Sequence, residues 1–259
     1  MTDEHVPIEH DLVYPPIIGA ARTAFAAMGL RFTVTGSEHV PREGGAVMAS
    51  NHTGYLDFTF AGLAARPSRR LVRFMCKDEI FDHPVAGPLM RGMHHIPVDR
   101  DAGMASYVAA LRALKAGEIV GVFPEATISR SFEVKEIKSG AVRMAATAGV
   151  PLLPTVIWGS QRVWTKDRPR RFAGRPLPIL VSVGEPMVVG RRDDHEAAAA
   201  ELRRRMQAQL EVLQLDYPEA PPTGADAWWV PARLGGTAPT PVEAAALDEA
   251  ERVARLERP

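Results

Sequence analysis

One cysteine, Cys76, among 259 residues excludes an internal disulfide framework and a zinc site built from several thiolates, and it suits a reducing compartment. Neither charge is in excess. With 31 Lys and Arg against 31 Asp and Glu, the chain lacks the basic field of a dedicated nucleic-acid binder. It also lacks any run of about 20 residues free of charge and proline, the least that a bilayer-spanning helix requires. The opening residues, MTDEHVPIEHD, are polar and acidic, the reverse of a secretory leader, so the expectation is a protein that stays inside the cell. What the chain does have is apolar material, 46% of its residues, which is ordinary for a globular core and sufficient for one large α/β domain.

Strand-like runs at 32–35, 46–50, 71–75, 95–98, 119–123, 152–157 and 179–183 alternate with helical patterns at 58–65, 84–91, 102–116, 140–148 and 193–215. Strand, helix, strand repeated in this way predicts an α/β layer fold, a central mostly parallel or mixed sheet flanked by helices. The run at 152–157 is apolar on both faces, as befits a strand covered on both sides. Within 12–30, Ile17, Ile18, Ala21, Phe25, Met28 and Leu30 recur at helical intervals, interrupted by Pro15, Pro16 and Arg22. Such a helix either packs on the domain or lies in a membrane interface, since both uses need one apolar face.

After residue 215 prolines and glycines accumulate, Trp228 and Trp229 stand among them, and 242–256 again looks helical. The expected division is an N-terminal segment and helix (1–30), a main domain (31–215) and an irregular tail (216–259). The stretch 161–175 carries six cations against Asp167 alone. That is a local anion-attracting patch, read either as a solvated loop or as a contact for an anionic membrane or a phosphorylated ligand.

Chemistry concentrates where an apolar strand, Ala46 to Ser50, gives way to Asn51-His52-Thr53-Gly54-Tyr55-Leu56-Asp57 ahead of a helix. Open α/β sheets place their sites at such strand ends. On an unbroken helix His52 and Asp57 would stand about 140° apart and could not touch, so the chain must turn between them. Gly54 allows the turn, and Asp57 then falls in the first turn of the next helix. A carboxylate there can hold one imidazole nitrogen and leave the other as a base for a hydroxyl proton. A second strand end, Gly121-Val122-Phe123-Pro124-Glu125-Ala126-Thr127, offers another carboxylate and hydroxyl. Between and after these come Lys77-Asp78-Glu79-Ile80-Phe81, Ile96-Pro97-Val98-Asp99-Arg100, Lys138-Ser139-Gly140-Ala141 and Val150-Pro151-Leu152-Leu153-Pro154.

In this order the blocks resemble the glycerolipid acyltransferase family, which includes bacterial 1-acyl-glycerol-3-phosphate acyltransferases. His52 and Asp57 match its His-x4-Asp motif, the block ending in Arg100 its second, Phe123-Pro124-Glu125 its third, and Val150-Pro151 to Pro154 its fourth. The resemblance covers roughly residues 31–215. It implies transfer of a fatty acyl group from acyl-CoA or an acyl-carrier protein to a hydroxyl of a lysophospholipid, 1-acyl-glycerol-3-phosphate first. It implies His52 as base and Asp57 as its orienting partner, with oxyanion donors among amides at the strand-helix junction, and neither resident cofactor nor metal. Glu125, Thr127, Arg100, Arg130, Lys138 and Lys77 are the implied substrate-binding residues. The family's third block reads Phe-Pro-Glu-Gly-Thr-Arg, whereas this chain has Ala126 for the glycine and Ile128 for the arginine. Replacement charge for an acceptor phosphate then falls to Arg130, Arg100 and Lys138. The alternatives are a different hydroxylated lipid or polyketide acceptor, or a non-catalytic lipid-binding protein on the same fold. Because the substrates are lipids, the expected location is peripheral, on the cytoplasmic face of the cell membrane, held by the N-terminal helix and the basic patch.

Other histidines fit a site poorly. His94 and His95 are adjacent and point to opposite faces of a strand, so at most one joins any cluster with His52 or His83. Cys76 follows the run Val72-Arg73-Phe74-Met75 and reads as a small core residue rather than a nucleophile.

Overall fold

A computed structural model of the chain describes residues 11–99 and 103–256. In chain order its elements are α1 (Tyr14–Ala27), β1 (Leu30–Thr35), β2 (Ala46–Ser50), α2 (Asp57–Ala64), β3 (Val72–Lys77), α3 (Ala86–Gly92) and β4 (Ile96–Val98). There follow α4 (Gly103–Lys115), β5 (Ile119–Val122), α5 (Gly140–Ala148), β6 (Leu152–Trp158), β7 (Leu177–Val183), α6 (His195–Leu215) and α7 (Pro241–Leu256). The seven strands form one sheet in the order β1-β7-β6-β2-β5-β3-β4. Every neighbouring pair is parallel except β6 with β7. This is the α/β architecture expected from the alternating patterns, with β1 and β7 running against the other five strands.

The sheet divides the core in two because successive side chains of a strand face opposite ways. Val47 and Ala49 of β2 join one apolar cluster with residues of α4, α5 and α6, while Ala46 and Met48 join a second with α2 and Phe25 of α1. All five residues of β2 and all seven of β6 are buried, so both strands are covered on both faces. Strand β7 starts at Leu177, ahead of the expected 179, because Leu177 pairs with Leu30 and Pro178 with Arg31. Pairing with a distant strand, rather than local pattern, sets that boundary.

Helix α1 spends its apolar stripe on the domain. Tyr14 donates its hydroxyl to the Val72 carbonyl at 2.8 Å, and Phe25 meets Phe60 edge-on with ring centroids 5.2 Å apart. Its outward side shows Gly19, Ala20, Arg22, Thr23 and Ala24. Just before it, buried Asp11 pairs with Arg73, which also reaches Glu118 at 3.3 Å. The tail beyond α6 is likewise attached. Tyr217, Trp229, Val230 and Ala238 lie in the same apolar cluster as α6, and Arg162 stacks on the Trp229 ring at 4.3 Å. Helix α7 buries Ala244 but leaves Leu247 and Val253 exposed, so it is held chiefly by charge.

Candidate active site

The adjacent strands β2 and β5 end within one residue of each other, Ala49 opposite Val122, while β6 pairs Thr155 with Ser50 and runs on to Trp158, and the polar blocks emerge just beyond β2 and β5. Asn51 ties this end together: its amide donates to the Ile157 carbonyl at 3.0 Å and accepts from the Ile157 N–H at 2.7 Å. The chain then turns so that Asp57, the first residue of α2, folds back on the loop. Its Oδ2 accepts from the Thr53 N–H at 2.6 Å, from the Gly54 N–H at 2.8 Å and from His52 Nδ1 at 3.0 Å. Since Nδ1 faces a carboxylate it carries the proton, and Nε2 is left with its lone pair. The Asp57 side chain is fully buried, whereas His52 keeps 20% of its side chain exposed. The imidazole therefore has an opening to solvent and an anchored rear. Phe123 stacks on its face at 4.2 Å and fixes the ring plane, and Phe74 stacks on Phe123 from behind at 6.0 Å.

Gly54 serves a different purpose from the one expected. It does not adopt a left-handed backbone; instead a Cβ there would stand 3.0 Å from the carbonyl oxygens of both Ser160 and Trp164. The glycine lets the 159–165 segment close on the His52 loop. Two further bonds seal that contact: the Tyr55 N–H donates to the Trp164 carbonyl at 3.0 Å, and Thr165 Oγ1 to the Thr53 carbonyl at 2.7 Å.

Glu125 lies under the loop rather than in its mouth. Oε1 accepts from the His52 N–H at 2.8 Å and Oε2 from the Lys135 N–H at 3.0 Å, so one buried carboxyl fixes two loops. Burial pushes its pKa up to about 7 against the opposing pull of these two amides. The next residue, Ala126, sits at φ +62°, the left-handed region where glycine is at ease. Ala126 thus holds a backbone conformation that would suit the glycine the resemblance places there. Ile128 is buried at 2% exposure.

The amides of His52, Thr53, Gly54 and Tyr55 are all engaged, with Glu125, Asp57, Asp57 and Trp164 respectively. These four are therefore not free to serve as the oxyanion donors expected at this junction.

The remaining expected substrate ligands scatter. Arg130 is locked in an ion-pair network, donating to Asp167 at 2.7 Å and to Glu251 at 2.9 Å and also pairing with Asp248. Thr127 accepts from Lys166 Nζ at 2.9 Å, and that ammonium in turn donates to Glu251 at 2.7 Å. Lys135 completes the cluster against Asp248. Hydrogen bonding from Lys166, with Arg130 adding to it against the cost of burial, holds Glu251 down at about 2. Three cations beside the third block are therefore matched by Asp167 and two carboxylates of α7. The charge that Arg130 was expected to offer a phosphate is taken up internally. Lys138 is exposed, with its N–H on the Pro124 carbonyl at 3.1 Å, and Lys77 ends β3, part-exposed and 3.4 Å from Glu79. Arg100 lies outside the described residues.

Asn51, Phe123, Lys135, Lys166, Asp248 and Glu251 were not singled out from sequence. Asn51 adjoins the first motif and Phe123 opens the third without a role of its own, but a charge run hides Lys166 and nothing local marks the two acids of α7. Cys76 is pushed up to about 12 by burial, so its thiol stays protonated. His95 is lowered to about 4 by burial, takes the Phe74 N–H on Nδ1 at 3.0 Å and stays neutral in the core.

Comparison with known proteins gives a consistent result. A family model described as Acyltransferase matches residues 31–158. A 1-acyl-sn-glycerol-3-phosphate acyltransferase of Bacillus subtilis (strain 168) is 32% identical over 148 residues, covering 56% of this chain and 72% of the relative. One from Limnanthes douglasii is 30% identical over 163 residues, covering 61% of this chain and 55% of its own length. The crystal structure of the 1-acyl-sn-glycerophosphate acyltransferase PlsC from Thermotoga maritima superposes with a TM-score of 0.66 at 22% identity, covering 79% of this chain and 81% of that one, a likeness of fold.

Proposed function

Because the chain belongs to the glycerolipid acyltransferase family, we propose that it moves a fatty acyl group from an acyl-CoA or acyl-carrier-protein thioester to a free hydroxyl of a lysophospholipid, 1-acyl-glycerol-3-phosphate first. The observation that carries the proposal is the His52–Asp57 couple, part-exposed at the imidazole and buried at the carboxylate. In the proposed step His52 Nε2 removes the hydroxyl proton as that oxygen attacks the thioester carbonyl. Asp57 holds Nδ1–H and compensates the imidazolium that forms, as orienting carboxylates do in related constellations. Collapse of the tetrahedral intermediate breaks the C–S bond, and the departing thiolate recovers the proton from His52. No acyl-enzyme is required. Glu125 acts as a positioning residue, since its carboxyl holds the His52 backbone and not the open side of the ring.

A second acceptor class, a phosphate-free hydroxylated lipid or polyketide, is favoured by one observation: Ile128 is buried and Arg130 is engaged by Asp167, Asp248 and Glu251. The test is thiol release from long-chain acyl-CoA and acyl-carrier protein with a panel of lysolipids, with and without phosphate. Hydroxyl-dependent release that His52→Ala abolishes supports the reading. No release with any donor and acceptor favours a lipid-binding protein instead. Lipid substrates place the working protein at the cytoplasmic membrane surface, as a peripheral protein.

A further inference from the structure

The proposed lipid acyl transfer needs the His52 opening to meet a bilayer, and α1 has given its apolar stripe to the core. The described surface nearest His52 has its own composition. Tyr55, three residues from the imidazole, is 42% exposed and lies against Trp164 with ring centroids 4.7 Å apart. Trp164 meets Phe172, which is 46% exposed, edge-on at 6.1 Å, and Arg170 covers the Trp164 ring at 4.1 Å. Arg168, Arg170 and Arg175 are exposed along the same loop, and none of them makes an ion pair with a described acidic residue. Of the other cations of the 161–175 run, Arg162 pairs with Glu219 and Lys166 with Glu251, while Arg171 donates to the Arg175 carbonyl. What was one basic patch in the sequence thus splits into a structural half and an outward half.

We propose that Tyr55, Trp164, Phe172 and the arginines 168, 170 and 175 form the face on which this protein docks to an anionic lipid bilayer, setting the His52 opening at the headgroup level. The proposal rests on the acyltransferase reading for its purpose, and on geometry for its location. Unpaired arginines complement an anionic leaflet, and aromatic rings partly free of protein suit the boundary between headgroup and acyl chain. The loop is also rigidly tied to the catalytic block. Gly54 touches the Ser160 and Trp164 carbonyls, and Thr53 and Tyr55 are hydrogen-bonded to Thr165 and Trp164. A face so attached transmits its position to His52 within one short loop. An acidic carrier protein would also be drawn by the arginines, but charge alone leaves the exposed Tyr55 and Phe172 without a function.

The test is sedimentation of the full chain with vesicles of phosphatidylcholine alone and of phosphatidylcholine with phosphatidylglycerol, a readout independent of turnover. The protein should bind the anionic vesicles and be partly released by salt. Each neutralised arginine near such a surface weakens partition about fivefold, so Arg168→Gln with Arg175→Gln should lower it about thirtyfold. Phe172→Ser should lower it about tenfold through lost apolar contact. All three positions are exposed, and circular dichroism checks that the variants stay folded. Unchanged partition of these variants overturns the proposal, as does equal binding to neutral and anionic vesicles or binding to neither. Variants that keep vesicle binding but lose thiol release only from acyl-carrier protein assign the face to that protein and overturn it equally. Vesicle binding without any acyl transfer leaves the docking face standing and removes the proposed reaction instead.

Discussion

Replacing Asp57 by asparagine separates the chemistry of the candidate base from the integrity of its loop. Asp57 Oδ2 takes three donors, and an asparagine carbonyl can keep the two amides of Thr53 and Gly54. What is lost is the charge opposite an imidazolium. A unit pair about 4 Å apart is worth about 4 kcal/mol at an effective dielectric near 20, which amounts to about a thousandfold in rate. The new NH2 meets the place of Oδ1, which has no hydrogen-bond partner, at a cost of about 1–3 kcal/mol in stability. Asp57→Asn should therefore stay folded and lose about three powers of ten in kcat, with little change in KM for the acyl thioester. Asp57→Ala strands two buried amides and leaves a void, so its larger effect should be on stability, about 3–5 kcal/mol. Initial rates of thiol release, read beside urea midpoints, distinguish the two effects. Asp57→Asn that folds and keeps its rate within about tenfold would refute the assignment of His52 as a base steered by Asp57.

Three further outcomes follow from the site. Burial holds a proton on Glu125 up to about pH 7, whereas the unfolded chain releases it near the ordinary glutamate value of 4.5, so stability should fall between these pH values, by on the order of 3 kcal/mol, and level off above them; in Glu125→Gln, less stable throughout because its NH2 faces an amide, urea midpoints should lose that slope. Ala126→Gly relieves a left-handed alanine and should raise stability by about 1 kcal/mol in the same measurement, with a fall in stability showing that the turn is unstrained. Asp248→Asn with Glu251→Gln strips Lys166 of its carboxylate partners and leaves Arg130 only Asp167, and should lower KM for phosphate-bearing acceptors relative to phosphate-free ones by roughly tenfold, on the scale of a charge-assisted hydrogen bond; equal KM changes for both classes would show that the cluster is remote from the acceptor.

Features dictated by nearest neighbours in the chain were legible before the structure. The ends of β2 and α5 coincide with their apolar patterns, and helical geometry required a turn between His52 and Asp57 for the pair to meet, as it does. Features that depend on distant partners were not. Arg130 carries no sign of Asp248, 118 residues away, so its charge looked free. The stripe on α1 reads the same whether it faces lipid or Phe60, and only the contact settles which. Gly54 was recognised as necessary, but the reason, two carbonyls pressing on it, belongs to a segment more than a hundred residues on. A glycine or an arginine announces a constraint; its counterpart must be found in space.

Strand β2 is flanked by β5 and β6, each supplied by a later part of the chain, and it delivers His52. The geometry of the candidate site is therefore a property of the sheet's middle, the region of a protein that opens last under native conditions. Heat inactivation should then track global melting, without an earlier loss of activity from local fraying. The same placement demands closure of long loops before the site exists at all, a slow route to assembly. On the proposed reaction, a half-folded chain of this kind would be inert toward acyl thioesters.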